Sequence, residues 1–163
     1  KELELPFAVK RLELTCSTFL LFYIYMKVEL KRINEPYHFE ATNQTGNKIQ
    51  IDASPQIGGT DKGVRPMELL LMGLAGCASI DVINILRKQR FSITDFNVTV
   101  DGERETGKDT NLFTDIVVNF FVKGDVEEEK LIRAIELSLE KYCSVAKTLE
   151  KTAKISYTFK IES

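Results

Sequence analysis

The sequence predicts an α+β domain with the element order βββ-α-ββ-α-β, and three observations carry that reading. A long apolar stretch from Arg65 to Phe91, RPMELLLMGLAGCASIDVINILRKQRF, has the length and the end signals of a helix. Short runs of alternating hydrophobicity, punctuated by turn residues, stand on both sides of it. Near the C-terminus, Leu131, Ile135, Leu139 and Tyr142 recur at helical spacing and give a second helix one apolar stripe.

The chain begins with a segment unlike the rest. Residues 1–25 contain the apolar run Phe19–Tyr25, which is too short to span a bilayer. Lys10 and Arg11 before it imitate a signal peptide, but Glu13 interrupts the apolar core and no small-residue cleavage site follows. Met26 directly precedes the first clean strand pattern. Residues 1–25 are therefore read as an upstream or artificially added leader, with Cys16 inside it, and residues 26–163 as one domain. Lys27–Ile33 and Tyr37–Thr42 alternate on either side of Asn34-Glu35-Pro36. A turn at residues 44–47 leads to Lys48–Ala53, with Ile49 and Ile51 facing inward. These three strands form a meander. The Gly-rich loop SPQIGGTDKGV, Ser54 to Val64, lacks a phosphate-loop arrangement, and its glycines serve backbone turns.

The long helix comes next. Pro66 suits the first helical position, where a missing N–H costs nothing. Glu68 in the first turn, and Arg87 and Lys88 in the last, complement the helix dipole. From Leu69 to Ala78 no polar face is present, and a helix apolar all round is a buried one. At about 1.5 Å per residue the stretch approaches about 40 Å, longer than a domain of this size is wide. Cover from a second subunit is expected. Cys77 sits mid-helix among Gly73, Ala75, Gly76, Ala78 and Ser79, small residues that leave room beside its sulfur.

Ser92–Val100 and Asn111–Val122 read as a hairpin around the polar turn of residues 101–110. The second strand is apolar on both faces and should be central and buried on two sides. Asp125 is placed to cap the following helix, whose first turn carries Glu127, Glu128 and Glu129. Cys143 follows that helix in KYCSVAKTL. Ile155, Tyr157, Phe159 and Ile161 alternate along a closing strand.

Composition narrows the function. The chain has 163 residues and a formal net charge of -2, so no basic stripe invites nucleic acid. Three cysteines in a chain this long are not a disulfide scaffold and fit a reducing compartment such as the cytoplasm. No cofactor signature is present. Cys77, Cys143 and His38 are too few for a zinc site, and no metal is expected. His38, between Tyr37 and Phe39, reads as a surface or partly buried strand residue. Asp81, one turn beyond Cys77, reads first as a helix-surface charge and second as a polar neighbour of the thiol. Lys147 reads as solvated.

The combination of RPMELLLMGLAGC with the distant KYCSVAKTL resembles the OsmC/Ohr family of osmotically inducible and organic hydroperoxide resistance proteins. The resemblance runs from Met26 to the C-terminus. It implies an intertwined homodimer with its long helices buried centrally and the thiols near the subunit interface. It also implies thiol peroxidation, with Cys77 attacking an organic hydroperoxide, Cys143 resolving the sulfenic acid to a disulfide, and an external dithiol reducing that disulfide.

Two departures from the family pattern concern the machinery that activates the thiol. Peroxidase members carry N-P-E-[EQ]-L, whereas this chain has Pro66-Met67-Glu68-Leu69, which turns the acid by about 100° around the helix. The early Gly-Gly-Arg turn that supplies the activating arginine is absent, leaving Arg32 and Arg65 as nearest candidates and Glu68 as the nearest acid. Two readings follow: a two-cysteine peroxidase, and a non-catalytic relative that binds a small hydrophobic ligand.

Overall fold

The structure is a computed structural model that describes residues 26–162; the expected leader and Cys16 lie outside the described residues. Strands β1 (Val28–Asn34), β2 (His38–Asn43) and β3 (Lys48–Ile51) form an antiparallel sheet in that order. Asn43 closes its second turn, its Oδ1 accepting the N–H groups of Thr45 at 3.1 Å and Asn47 at 2.9 Å. The register sets Leu30, Ala41 and Ile49 side by side on one face and Glu29, Thr42 and Lys48 on the other. Among the described residues the apolar face is only partly covered: Leu30 is 58% exposed and Ile49, expected to point into a core, is 36% exposed.

Helix α1 (Pro66–Lys88) follows a loop containing a single 3-10 turn at Pro55–Ile57. Strands β4 (Ser92–Arg104) and β5 (Phe113–Asp125) make the hairpin. Strand β6 (Lys154–Glu162) then runs parallel to β5, giving a second sheet in the order β4-β5-β6. A parallel neighbour requires a crossover. Here that crossover is helix α2 (Glu128–Leu137), a π-helical turn at Ser138–Tyr142, and a third short helix, α3 (Ser144–Leu149). The element order is thus the expected one with one helix added.

The core lies between the second sheet and the helices. Leu74, Ala78, Val82 and Leu86, spaced four apart on α1, are fully buried with Ile116, Val118, Phe120 and Val122 of β5 and Leu131, Ala134 and Ile135 of α2. Among the described residues that stripe is the buried face of α1: Met72 is 49% exposed and Ile80 63%. The helix is long and apolar enough by composition to cross a membrane, yet its central stripe forms part of a mixed core. β5 is central, as expected, but only one of its faces is closed, since Phe121 on the other is 42% exposed.

Two local expectations are corrected. Asp125 does not cap α2, because β5 continues through it and Glu127 takes the N-cap position. His38 is buried rather than superficial, with Nδ1 3.1 Å from Asn34 Nδ2 and Nε2 2.9 Å from Gln50 Oε1.

Candidate functional site

The site is built where the middle of α1 meets the crossover. Cys77 and Asp81 are four residues apart on one helix and therefore share a face. Cys143 arrives from the other side, in extended conformation, at the break between the π-helical turn and α3. As the N-cap residue of α3, its Sγ accepts the Ala146 N–H at 3.4 Å. The two sulfurs and one carboxylate oxygen of Asp81 lie within 4.8 Å of one another.

The two thiols differ in environment. Cys143 is fully buried, whereas Cys77 is half-buried and reachable from outside. Burial above all, and the adjacent Cys77 after it, push the Cys143 thiol up to about 12, so it carries its proton at neutral pH. Beside Cys77 the helix is open: a Cβ added at Gly76 would touch nothing within 4 Å. Ser138, fully buried in the π-helical turn, places its hydroxyl 3.4 Å from Asp81 Oδ2 and 3.4 Å from the Ala78 carbonyl. Asp81 is thus a polar neighbour of the thiols, the second of its two readings, and Ser138 carried no signal in the sequence.

The remaining site residues read from the sequence are engaged elsewhere. Glu68 accepts the Arg65 backbone N–H at 2.8 Å and so closes the start of α1. Arg65 binds the carbonyls of Asp52 at 3.2 Å and Gly63 at 3.1 Å and pairs with Asp61. Arg32, on the exposed β1, pairs with Glu35 at 3.5 Å, and Lys147 pairs with Glu150 at 2.6 Å. Among the described residues, none of these cations bonds to either sulfur.

The loop that Arg65 fastens is organised by a residue the sequence did not single out. Asp52, buried at the end of β3, accepts the Thr60 hydroxyl at 2.7 Å and the N–H groups of Ala53 at 2.8 Å, Thr60 at 3.0 Å and Lys62 at 3.1 Å. Those bonds, the Thr60 hydroxyl first, hold its carboxyl well below the usual carboxylate range. Gly59 is required there by close approach, since a Cβ would sit 1.8 Å from the Ala53 carbonyl oxygen.

Comparison with known proteins now decides the family, for the OsmC-like protein model matches residues 59–158. The chain belongs to the OsmC-like family. It is 38% identical over 124 residues to protein YhfA of Escherichia coli strain K12, which spans 76% of this chain and 89% of the relative. The crystal structure of a hypothetical protein from Aquifex aeolicus is similar with a TM-score of 0.71 at 33% identity, covering 85% of this chain and 98% of the other. An organic hydroperoxide resistance protein OsmC from Legionella pneumophila shares the fold, with a TM-score of 0.66 at 13% identity over 86% of this chain and 98% of its own. The resemblance read from the two cysteine segments is therefore a family relationship, and the α+β architecture is that of the OsmC-like fold.

Proposed function

We propose that this OsmC-like protein is a two-cysteine thiol redox protein that reduces organic hydroperoxides. The observation that carries the reading is the proximity of an accessible thiol to a buried one, their sulfurs within 4.8 Å. A disulfide needs a separation of only about 2.05 Å, so modest side-chain rotation would close the gap. The difference in accessibility supports the division of roles. Cys77 is the sulfur a hydroperoxide can reach, and Cys143 is the one kept for resolution.

In the first step the Cys77 thiolate attacks the outer oxygen of ROOH, the O–O bond breaks, and ROH leaves after taking up a proton. Cys77 is oxidised to the sulfenic acid and the peroxide is reduced. Cys143 then attacks the sulfenic sulfur, the S–O bond breaks, and hydroxide combines with the Cys143 proton to leave as water. An external dithiol reduces the disulfide and returns both thiols. The apolar surroundings of α1 favour alkyl peroxides over hydrogen peroxide. The active form is an intertwined homodimer, supported by the uncovered apolar face of α1 and by the half-covered first sheet. The three cysteines suit a reducing compartment, and we place the protein in the cytoplasm.

One observation favours a second reading, in which the fold holds a small hydrophobic ligand without chemistry. The nearest candidates for an activating pair, Arg65, Arg32 and Glu68, all have other partners. Thiolate formation would then need a cation other than these two arginines. A stoichiometric organic hydroperoxide decides between the two. The peroxidase reading expects an intramolecular Cys77–Cys143 disulfide by mass spectrometry, abolished in Cys77→Ser. Unchanged free thiols after exposure would overturn it in favour of ligand binding.

A further inference from the structure

The same crossover holds a third donor beside the two thiols, and that residue has no part in the peroxide reaction. Asp81 supplies a carboxylate oxygen within 4.8 Å of both sulfurs, and the three donors come from two separate elements that converge on one point. Two thiolates and a carboxylate are the donor types that hold zinc-group cations. Metal–ligand distances of about 2.3 Å to sulfur and about 2.0–2.2 Å to oxygen put tetrahedral donors about 3.5–3.8 Å apart. Only about 1 Å of side-chain movement separates the cluster from that spacing. Two contacts behind the donors hold them in place: the buried Ser138 hydroxyl against Asp81 and the Ala146 N–H on the Cys143 sulfur. Cys77 and Asp81 are half-buried, which leaves a path for an ion and an open fourth position.

We propose that reduced Cys77, Cys143 and Asp81 bind one zinc-group divalent cation, completed by water or a small ligand in the fourth position. From the sequence no metal is expected, with His38 weighed beside the two cysteines; that histidine lies in the first sheet with Asn34 and Gln50. Asp81, read first as a helix-surface charge and second as a polar neighbour of the thiol, is the third donor. Binding requires both sulfurs in the reduced state, so oxidation to the disulfide expels the ion. The inference uses the thiols of the peroxide reading without resting on its reaction.

Cadmium alone is the probe, added to the reduced full-length chain under anaerobic conditions. One Cd2+ per chain should bind with a thiolate-to-metal charge-transfer band in the ultraviolet. The band should vanish in Cys77→Ser, and Asp81→Asn should weaken binding at least tenfold. Cys16→Ser should change neither. A readout that needs no variant is alkylation of the wild-type protein, where Cd2+ should slow iodoacetamide modification of Cys77 at least tenfold. Absence of the band together with unprotected Cys77 would overturn the proposal. A band that survives in Cys77→Ser, depends on Cys16 or ignores Asp81→Asn would overturn the three-donor site. Cadmium binding without peroxide-driven disulfide formation supports the metal site and sinks the peroxide reading; the reverse result does the opposite.

Discussion

At the scale of single residues, the two ionisable groups most displaced from ordinary behaviour make opposite demands on pH. Cys143 is pushed up to about 12 by burial, the main cause, and by Cys77. On the proposed peroxidase reading, its condensation with a sulfenic acid would be slowed by the scarcity of thiolate. Quenched-flow mass spectrometry should show disulfide formation climbing about tenfold per pH unit through the alkaline range, instead of levelling near the ordinary thiol value of 9.0. Asp52 is displaced the other way. Its folded-state value is depressed, so its contribution is present above the ordinary value of 3.8 and is lost as pH falls through the folded one. Asp52→Ala should therefore melt several degrees below the wild type at neutral pH, and the difference should shrink in acid. Calorimetry across pH checks both halves. Both thiols of the site were legible in the sequence, because a cysteine amid Gly73, Ala75 and Gly76 and another just past a helix are unusual settings. Ser138 and Asp52 were not: each acts through contacts with residues distant in the chain, which no local pattern encodes.

Among the elements, α1 was the most legible, its start marked by Pro66 and Glu68 and its end by Arg87 and Lys88. What the apolar run could not reveal is which face the chain itself would cover. Leu74→Ala, in the buried stripe, should cost about 2–5 kcal/mol in chemical denaturation. Ile80→Arg, on the uncovered side, should leave the internal packing of one chain intact and disrupt association, read by size-exclusion chromatography. The crossover was legible only in part. A six-residue helix such as α3 is too short to display a period, and the π-helical turn before it breaks the phase carried from Leu131. That break explains why Tyr142, counted in the apolar stripe, ends 50% exposed. A bulge between Ile93 and Asp95 shifts β4 in the same way, so that Ile93 and then Phe96, Val98 and Val100 pack against the core.

For the whole molecule, the domain reading predicts that residues 26–163 suffice. A chain beginning at Met26 should fold and self-associate like the full one, with circular dichroism and light scattering showing twice the chain mass. Failure to associate would remove the cover proposed for α1. The division of the structure into two sheets carries a further consequence. Among the described residues, strands β1, β2 and β3 contribute none to the main core, whose members run from Met67 onward. Among the described residues their apolar face, with Val28 and Leu30 largely open, is left uncovered, and in the homodimer proposed above a second copy would cover it. On that proposal, folding of the sheet and encounter of two chains would be one equilibrium, governed by mass action. The unfolding midpoint should rise with protein concentration, each tenfold increase adding about 1.4 kcal/mol of apparent stability, whereas a self-sufficient monomer would melt at the same temperature at every dilution.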